Sequence, residues 1–163
     1  MRFLSVVIPA LNEELNVAAV IGSVPVGTLR DAGWETEIIV VDNASTDATG
    51  EAARAAGAIV VHEPRRGYGS AYKAGFGAAR GDVVVTGDAD QTYPLDHTPG
   101  LLAKFWEDGT EFLTTNRLIA ANLQAMKPSH SVGNHVLSGI SRMLFRHDIR
   151  DSQSGMWMFR RYV

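Results

Sequence analysis

The chain has 163 residues and a mass of 17.6 kDa, with 45% hydrophobic and 20% charged residues. That is one soluble domain's worth of chain, able to bury a single substantial core. Cysteine is absent, which excludes disulfides, thiolate zinc sites and cysteine nucleophiles, and the longest apolar runs are strand-sized, too short to cross a membrane. The first strand is predicted over Phe3 to Pro9. Asn12 is expected to cap a helix running to about Val24, with Glu13 and Glu14 at its positive end, and Pro25 and Gly27 break it. A second strand spans Glu37 to Asp42 through the apolar run Ile38 to Val41. A helix from Ser45 or Thr46 to Ala56 follows, closed by Gly57, and then a third strand from Ala58 to His62. After the loop Pro64 to Gly69 come a small-residue helix (Ser70 to Arg80) and a fourth strand (Asp82 to Gly87). The polar loop Asp88 to Pro94 leads to a helix from Thr98 to Glu107 and a strand from Glu111 to Thr115. Residues 118–131 read as a loop, Gly133 to Arg146 as a helix with helical apolar spacing, and Met156 to Phe159 as a last strand.

Strands alternating with helices predict an α/β fold, with parallel strands joined by right-handed crossovers and helices on both faces. Ligands bind such sheets beyond the carboxyl ends of the strands. The polar groups fall there: Asn12 and Glu13 after strand one, Asp42 closing strand two, Asp88 and Asp90 after strand four. Charge is also divided. Residues 1–116 hold 8 Lys/Arg and 16 Asp/Glu, whereas residues 117–163 hold 7 Lys/Arg and 2 Asp/Glu. An acidic part and a basic tail could hold a metal and a polyphosphate between them, or both could be solvated faces.

The sharpest local feature is Val83-Val84-Val85-Thr86-Gly87-Asp88-Ala89-Asp90. An apolar strand delivers two carboxylates, one residue apart, into a loop. Close carboxylates repel, and a hard cation such as Mg²⁺ or Mn²⁺ relieves that while bridging to phosphate oxygens. Alone, Asp-x-Asp reads better as a polar turn. Its setting changes the reading: Pro9-Ala10-Leu11-Asn12-Glu13-Glu14, Asp42-Asn43-Ala44-Ser45-Thr46-Asp47, Arg65-Arg66-Gly67-Tyr68-Gly69 and Asp88-Ala89-Asp90-Gln91-Thr92-Tyr93-Pro94 follow successive strands, and Asp151-Ser152-Gln153-Ser154-Gly155 closes the series.

In these five motifs, in this order, the chain resembles a family 2 glycosyltransferase of the GT-A fold. More narrowly it is similar to the polyprenyl-phosphate sugar transferases, the dolichyl-phosphate mannose or glucose synthase group. The resemblance implies a Rossmann-like, mostly parallel sheet and a metal-dependent inverting transfer of a hexose from a UDP- or GDP-linked sugar to a polyprenyl phosphate. It implies that Pro9, Ala10, Asn12, Glu13 and Ala89 line the nucleotide pocket, and that Asp42 accepts a hydrogen bond from base or ribose. Asp88 would hold ribose or metal and Asp90 the metal, Mg²⁺ or Mn²⁺, on the diphosphate. Gly67 and Gly69 would admit the nucleotide to the backbone, with Lys73 near an acidic group. Arg117 would contact phosphate, and Asp151 would act near the reacting centre as a base or as the group orienting the acceptor. Arg142, Arg146 and Arg150 would meet an acceptor phosphate or anionic headgroups, or be solvated. An acceptor phosphate is already anionic, so it can attack the anomeric carbon without a strong base, through an oxocarbenium-like transition state.

Two departures qualify the resemblance. Many mannosyl members carry glutamine two residues after the second aspartate, where this chain has Thr92; Gln91 comes one earlier, a pattern nearer the glucosyl or an undefined bacterial branch. The chain stops at Val163, just past the acceptor motif, and reads as a single catalytic domain over residues 1–163, truncated or minimal at its C-terminus. The same fold with a non-lipid acceptor, or binding without turnover, is the alternative. The expected location is cytoplasmic, with peripheral contact at the membrane face, since the N-terminus does not read as a signal peptide. A dinucleotide-binding oxidoreductase needs Gly-x-Gly-x-x-Gly after strand one, and a phosphate-loop NTPase needs Gly-Lys-Ser/Thr; neither is present. Gln-x-x-Arg-Trp, expected of a processive polysaccharide synthase, is absent as well. The basic residues lack aromatic interleaving, which argues against nucleic acid. The histidines are scattered, and Asn43-Ala44-Ser45 matches a glycosylation sequon by chance. Oligomeric state is not legible.

Overall fold

The computed structural model describes residues 2–115 and 154–162. Strand β1 (Arg2–Ala10) is buried from Leu4 to Ala10 without interruption. Alternate residues of this run face opposite cores. Leu4, Val6 and Ile8 join one cluster, and Val7 joins another with Ile39, Val41 and Val84. A strand covered on both faces needs an apolar side chain at nearly every position, which explains the continuous run.

On one side β1 pairs in parallel with β2 (Trp34–Asp42), which pairs in parallel with β3 (Ile59–His62). On the other side β1 pairs in parallel with β4 (Val83–Thr86). Helices α1 (Val17–Ser23) and α2 (Val26–Asp31) connect β1 to β2, α3 (Thr49–Ala55) leads to β3, and α4 (Tyr68–Ala78) leads to β4. A 3-10 turn at Leu95–His97 and α5 (Thr98–Glu107) lead on to β5 (Phe112–Thr114). The sheet order is β3-β2-β1-β4-β6-β5, where β6 is Trp157–Arg160.

The sheet is mostly parallel, as expected; β6 runs antiparallel to both β4 and β5. The crossover through α5 leaves a one-strand gap, and β6 fills it from the opposite direction. The first helix does not begin at Asn12, which has a left-handed backbone (φ 57°); α1 starts at Val17. A second short helix, α2, follows directly on Pro25, because proline suits a helix start as well as a helix stop. The helix after β2 starts at Thr49, since Ser45 and Thr46 bond to Asn12 instead. The loop expected over 118–131 and the helix expected over Gly133 to Arg146 lie outside the described residues.

Helix α4 lies close on the sheet. A Cβ at Gly75 would stand 2.4 Å from Val7 Cγ1 and 3.0 Å from Val41 Cγ2. Its far end is tied down by Glu37, a buried carboxylate on β2. Glu37 Oε1 accepts from Ser5 Oγ (2.6 Å) and from the Arg80 backbone N (2.7 Å). Its Oε2 accepts from Arg80 Nε (2.9 Å) and Nη2 (2.7 Å). Burial pushes the Glu37 carboxyl up, but the hydrogen bonds from Ser5 and Arg80 and the guanidinium charge outweigh it, holding the group below its ordinary 4.5. A depressed carboxyl stabilises the fold above its unfolded pKa and loses that contribution as pH falls through the folded one. Glu37→Gln is therefore expected to cost about 2 kcal/mol at pH 7. The difference from the unsubstituted chain should shrink below about pH 4.5. Urea denaturation at pH 7 and pH 3.5 checks both.

Candidate active site

The carboxyl ends of β1, β2 and β4 open onto one cleft of about 240 Å³. Pro9, Ala10, Leu11 and Glu13 line it from β1 and the loop beyond, and Asn43 lines it from the end of β2. Gly67, Tyr68 and Ala71 close it from the start of α4, and Asp88, Ala89 and Asp90 from the loop after β4. Of the residues the sequence singles out, the fold brings Pro9, Ala10, Glu13, Gly67, Asp88, Ala89 and Asp90 together in this lining. Lys73 and Gly69 are exposed and stand outside it. Arg117, Arg142, Arg146, Arg150 and Asp151 lie outside the described residues.

Asn12 and Asp42 are not part of the lining; they tie together the loops after β1 and β2. Asn12 Oδ1 accepts from Thr46 N (2.8 Å), and Asn12 N donates to Ser45 Oγ (3.1 Å). Asp42 Oδ1 accepts from Ser45 N (3.1 Å), and its Oδ2 lies 3.6 Å from His62 Nδ1. The same two loops are joined again at Glu13 N to Thr49 Oγ1 (2.8 Å) and Ala48 N to Glu14 Oε2 (2.9 Å). The two glutamates expected at a helix start thus act between loops.

The residue that sequence reasoning missed is Asn43, 4% exposed. Its Nδ2 donates to the carbonyls of Glu63 (3.1 Å) and Arg65 (2.7 Å), and its Oδ1 accepts from Gly67 N (2.7 Å). One amide side chain therefore fastens the loop between β3 and α4. An amide at the end of a buried strand was the available signal. Nearby, Glu63 receives Arg65 Nε (2.9 Å) and Nη2 (3.0 Å), and these bonds, with the Arg65 backbone N, hold its carboxyl down at about 2.

The cleft is electrostatically negative. Tyr68 is 64% exposed, yet local desolvation, followed by the charges of Asp88, Asp90 and Glu13, raises its phenol above the usual range. Burial and then Asp88 do the same to Tyr72. Among the described residues no three His, Asp or Glu side chains are grouped to hold a metal by themselves. Two carboxylates on one wall suit a hard ion that takes one or two protein oxygens and completes its shell with water and phosphate.

The mostly parallel, helix-flanked sheet is a GT-A glycosyltransferase fold. The chain matches the family described as Glycosyl transferase family 2 over residues 5–163, and it belongs to that family. It is 38% identical over 160 residues to a low-salt glycan biosynthesis hexosyltransferase of Haloferax volcanii, covering 97% of this chain and 38% of that protein. A dolichyl-phosphate hexose transferase of the same organism is 32% identical over 158 residues, covering 97% of this chain and 66% of the relative. Among solved structures, glucosyl-3-phosphoglycerate synthase of Mycobacterium tuberculosis, in complex with Mn²⁺, UDP and phosphoglyceric acid, superposes with a TM-score of 0.74 at 29% identity. That match covers 99% of this chain and 56% of the synthase. No helix among the described residues is long and apolar enough to cross a membrane.

Asn43→Ala should leave the Gly67 N–H and the carbonyls of Glu63 and Arg65 without their partner, at a cost of about 2 kcal/mol. Urea denaturation gives the stability loss, and amide hydrogen exchange should show it concentrated in residues 63–71.

Proposed function

We propose that this chain is the catalytic domain of a metal-dependent inverting hexosyltransferase, taking its sugar from a nucleoside diphosphate and delivering it to a polyprenyl phosphate. The observation that carries this is the pair Asp88 and Asp90, brought by β4 to the wall of a cleft that also contains the Pro9–Ala10 backbone. The Mn²⁺ and UDP of the glucosyl-3-phosphoglycerate synthase complex support a nucleotide sugar and a divalent ion. The dolichyl-phosphate hexose transferase relative supports the lipid phosphate.

Asp88 and Asp90 would hold Mg²⁺ or Mn²⁺. When bound, the ion supplies positive charge against that building on the departing nucleoside diphosphate. Pro9, Ala10 and Ala89 shape the nucleotide pocket, and Glu13 adds a carboxylate on the β1 side. Arg117 is assigned to phosphate, and Asp151 to the acceptor side of the reaction. An acceptor phosphate oxygen bonds to the anomeric carbon as the bond to the diphosphate oxygen breaks, the leaving group keeps the electron pair, and the centre inverts. Peripheral contact with a membrane surface fits a polyprenyl acceptor.

A non-lipid acceptor is the second reading, favoured by the phosphoglyceric acid in the synthase complex. Both acceptors are phosphate-bearing anions.

Calorimetric titration with UDP-glucose, UDP-N-acetylglucosamine, GDP-mannose and NADH, with and without Mn²⁺, tests the donor side. One nucleotide sugar is expected to bind with a clear metal dependence, and Asp90→Ala should weaken that binding by more than about tenfold. NADH binding without any nucleotide-sugar binding would overturn the reading. Supplying the bound sugar together with either a polyprenyl phosphate or 3-phosphoglycerate then separates the acceptors.

A further inference from the structure

The segment that follows the described gap meets the aspartate loop at a single glycine. Gly155 N donates to Tyr93 Oη at 2.5 Å. Its carbonyl accepts from Thr86 Oγ1 (2.7 Å) on β4 and from Tyr72 Oη (3.4 Å) on α4. Thr86 Oγ1 in turn accepts from Trp157 N (2.8 Å), and Ser154 Oγ lies 2.9 Å from Thr115 Oγ1. Gly155 is thus gripped from β4, from α4 and from the loop that carries Asp88 and Asp90.

The contact leaves little room for a side chain. A Cβ on Gly155 would lie 3.1 Å from Asp88 Oδ2, 3.1 Å from Tyr93 Cε2 and 3.2 Å from Tyr93 Oη. One side of the Asp88 carboxylate therefore rests on bare backbone, and Tyr93, 7% exposed, holds that backbone in place. Tyr93 itself stands outside the cleft lining.

We propose that Tyr93 is a positioning residue, whose hydroxyl fastens Gly155 against Asp88 and so fixes that carboxylate for a divalent cation. The proposal rests on the reading of Asp88 and Asp90 as the cation's ligands. A carboxylate whose orientation is set by neighbours binds a metal more tightly than one free to rotate, and losing such a neighbour costs about 10- to 100-fold in metal affinity. Tyr93→Phe keeps the ring and removes only the hydroxyl. Gly155→Ala keeps the hydroxyl and pushes a methyl group at Asp88.

The test is UDP binding by calorimetry, in EDTA and in Mn²⁺, on the wild type and on both variants, with melting temperatures alongside. Both variants are expected to bind UDP in EDTA within about twofold of wild type and to lose about tenfold of the gain that Mn²⁺ confers. A merely structural role would lower binding equally in both media, and that result overturns the proposal. So does a full Mn²⁺ gain in both variants. If Tyr93→Phe fails to fold, Gly155→Ala decides alone. A wild type with no Mn²⁺ gain overturns the metal-ligand reading and this proposal together, before either variant is read; a wild type with the gain and unaffected variants overturns only the role of Tyr93.

Discussion

Burial of β1 on both faces is the constraint on which everything else depends. Seven consecutive side chains, from Leu4 to Ala10, are removed from water. That requires a strand on each flank and a helical layer on each face. Where the burial ends, at Ala10, the chain leaves the sheet beside the ends of β2 and β4, and polar residues become affordable. The cleft lies where β1 and β2 stop level, Ala10 opposite Asp42, above the earlier end of β4, where Thr86 stands opposite Val7.

The loops above those strands are braced laterally. Asn12, Glu13 and Glu14 bond across to Ser45, Thr46, Ala48 and Thr49, while Asn43 bonds across to the loop before α4. Each bond joins segments 20 or more residues apart in sequence. At the other end of the sheet, Glu37 ties β1, β2 and the end of α4 together. Polar side chains thus set the spacing of elements that apolar packing alone would leave free to slide. Arrangements of this kind hold a binding site in shape before any ligand arrives.

Much of this was legible in the sequence. Apolar runs fixed β1, β2 and β4, since a strand buried on both faces leaves a signature that no loop shares. The Asp88–Asp90 loop was legible because it interrupts such a run abruptly. What was illegible is what depends on distant partners. Nothing near Asn12 announces that it will adopt a left-handed backbone and bond to Thr46. A helix cap was the better local inference, and a contact 34 residues away overrode it. The direction of β6 was hidden for the same reason: alternation constrains strands joined by a helical crossover, not one that enters a gap from elsewhere. Asn43 was hidden because its role lies in the acceptors and donors it meets, none of which is local.

Among the described residues the sheet ends in two very short strands, four residues in β3 and three in β5. Each bears a partly exposed apolar residue, Ile59 at 45% and Phe112 at 43%. An open edge is a template on which another chain can add a strand, and length decides how firmly it would hold. Three or four residues offer too few free amide groups to recruit a stable neighbour. Among the described residues, the sheet is protected from edge-to-edge aggregation by the brevity of its borders. Lengthening either border would create a hazard without touching the cleft.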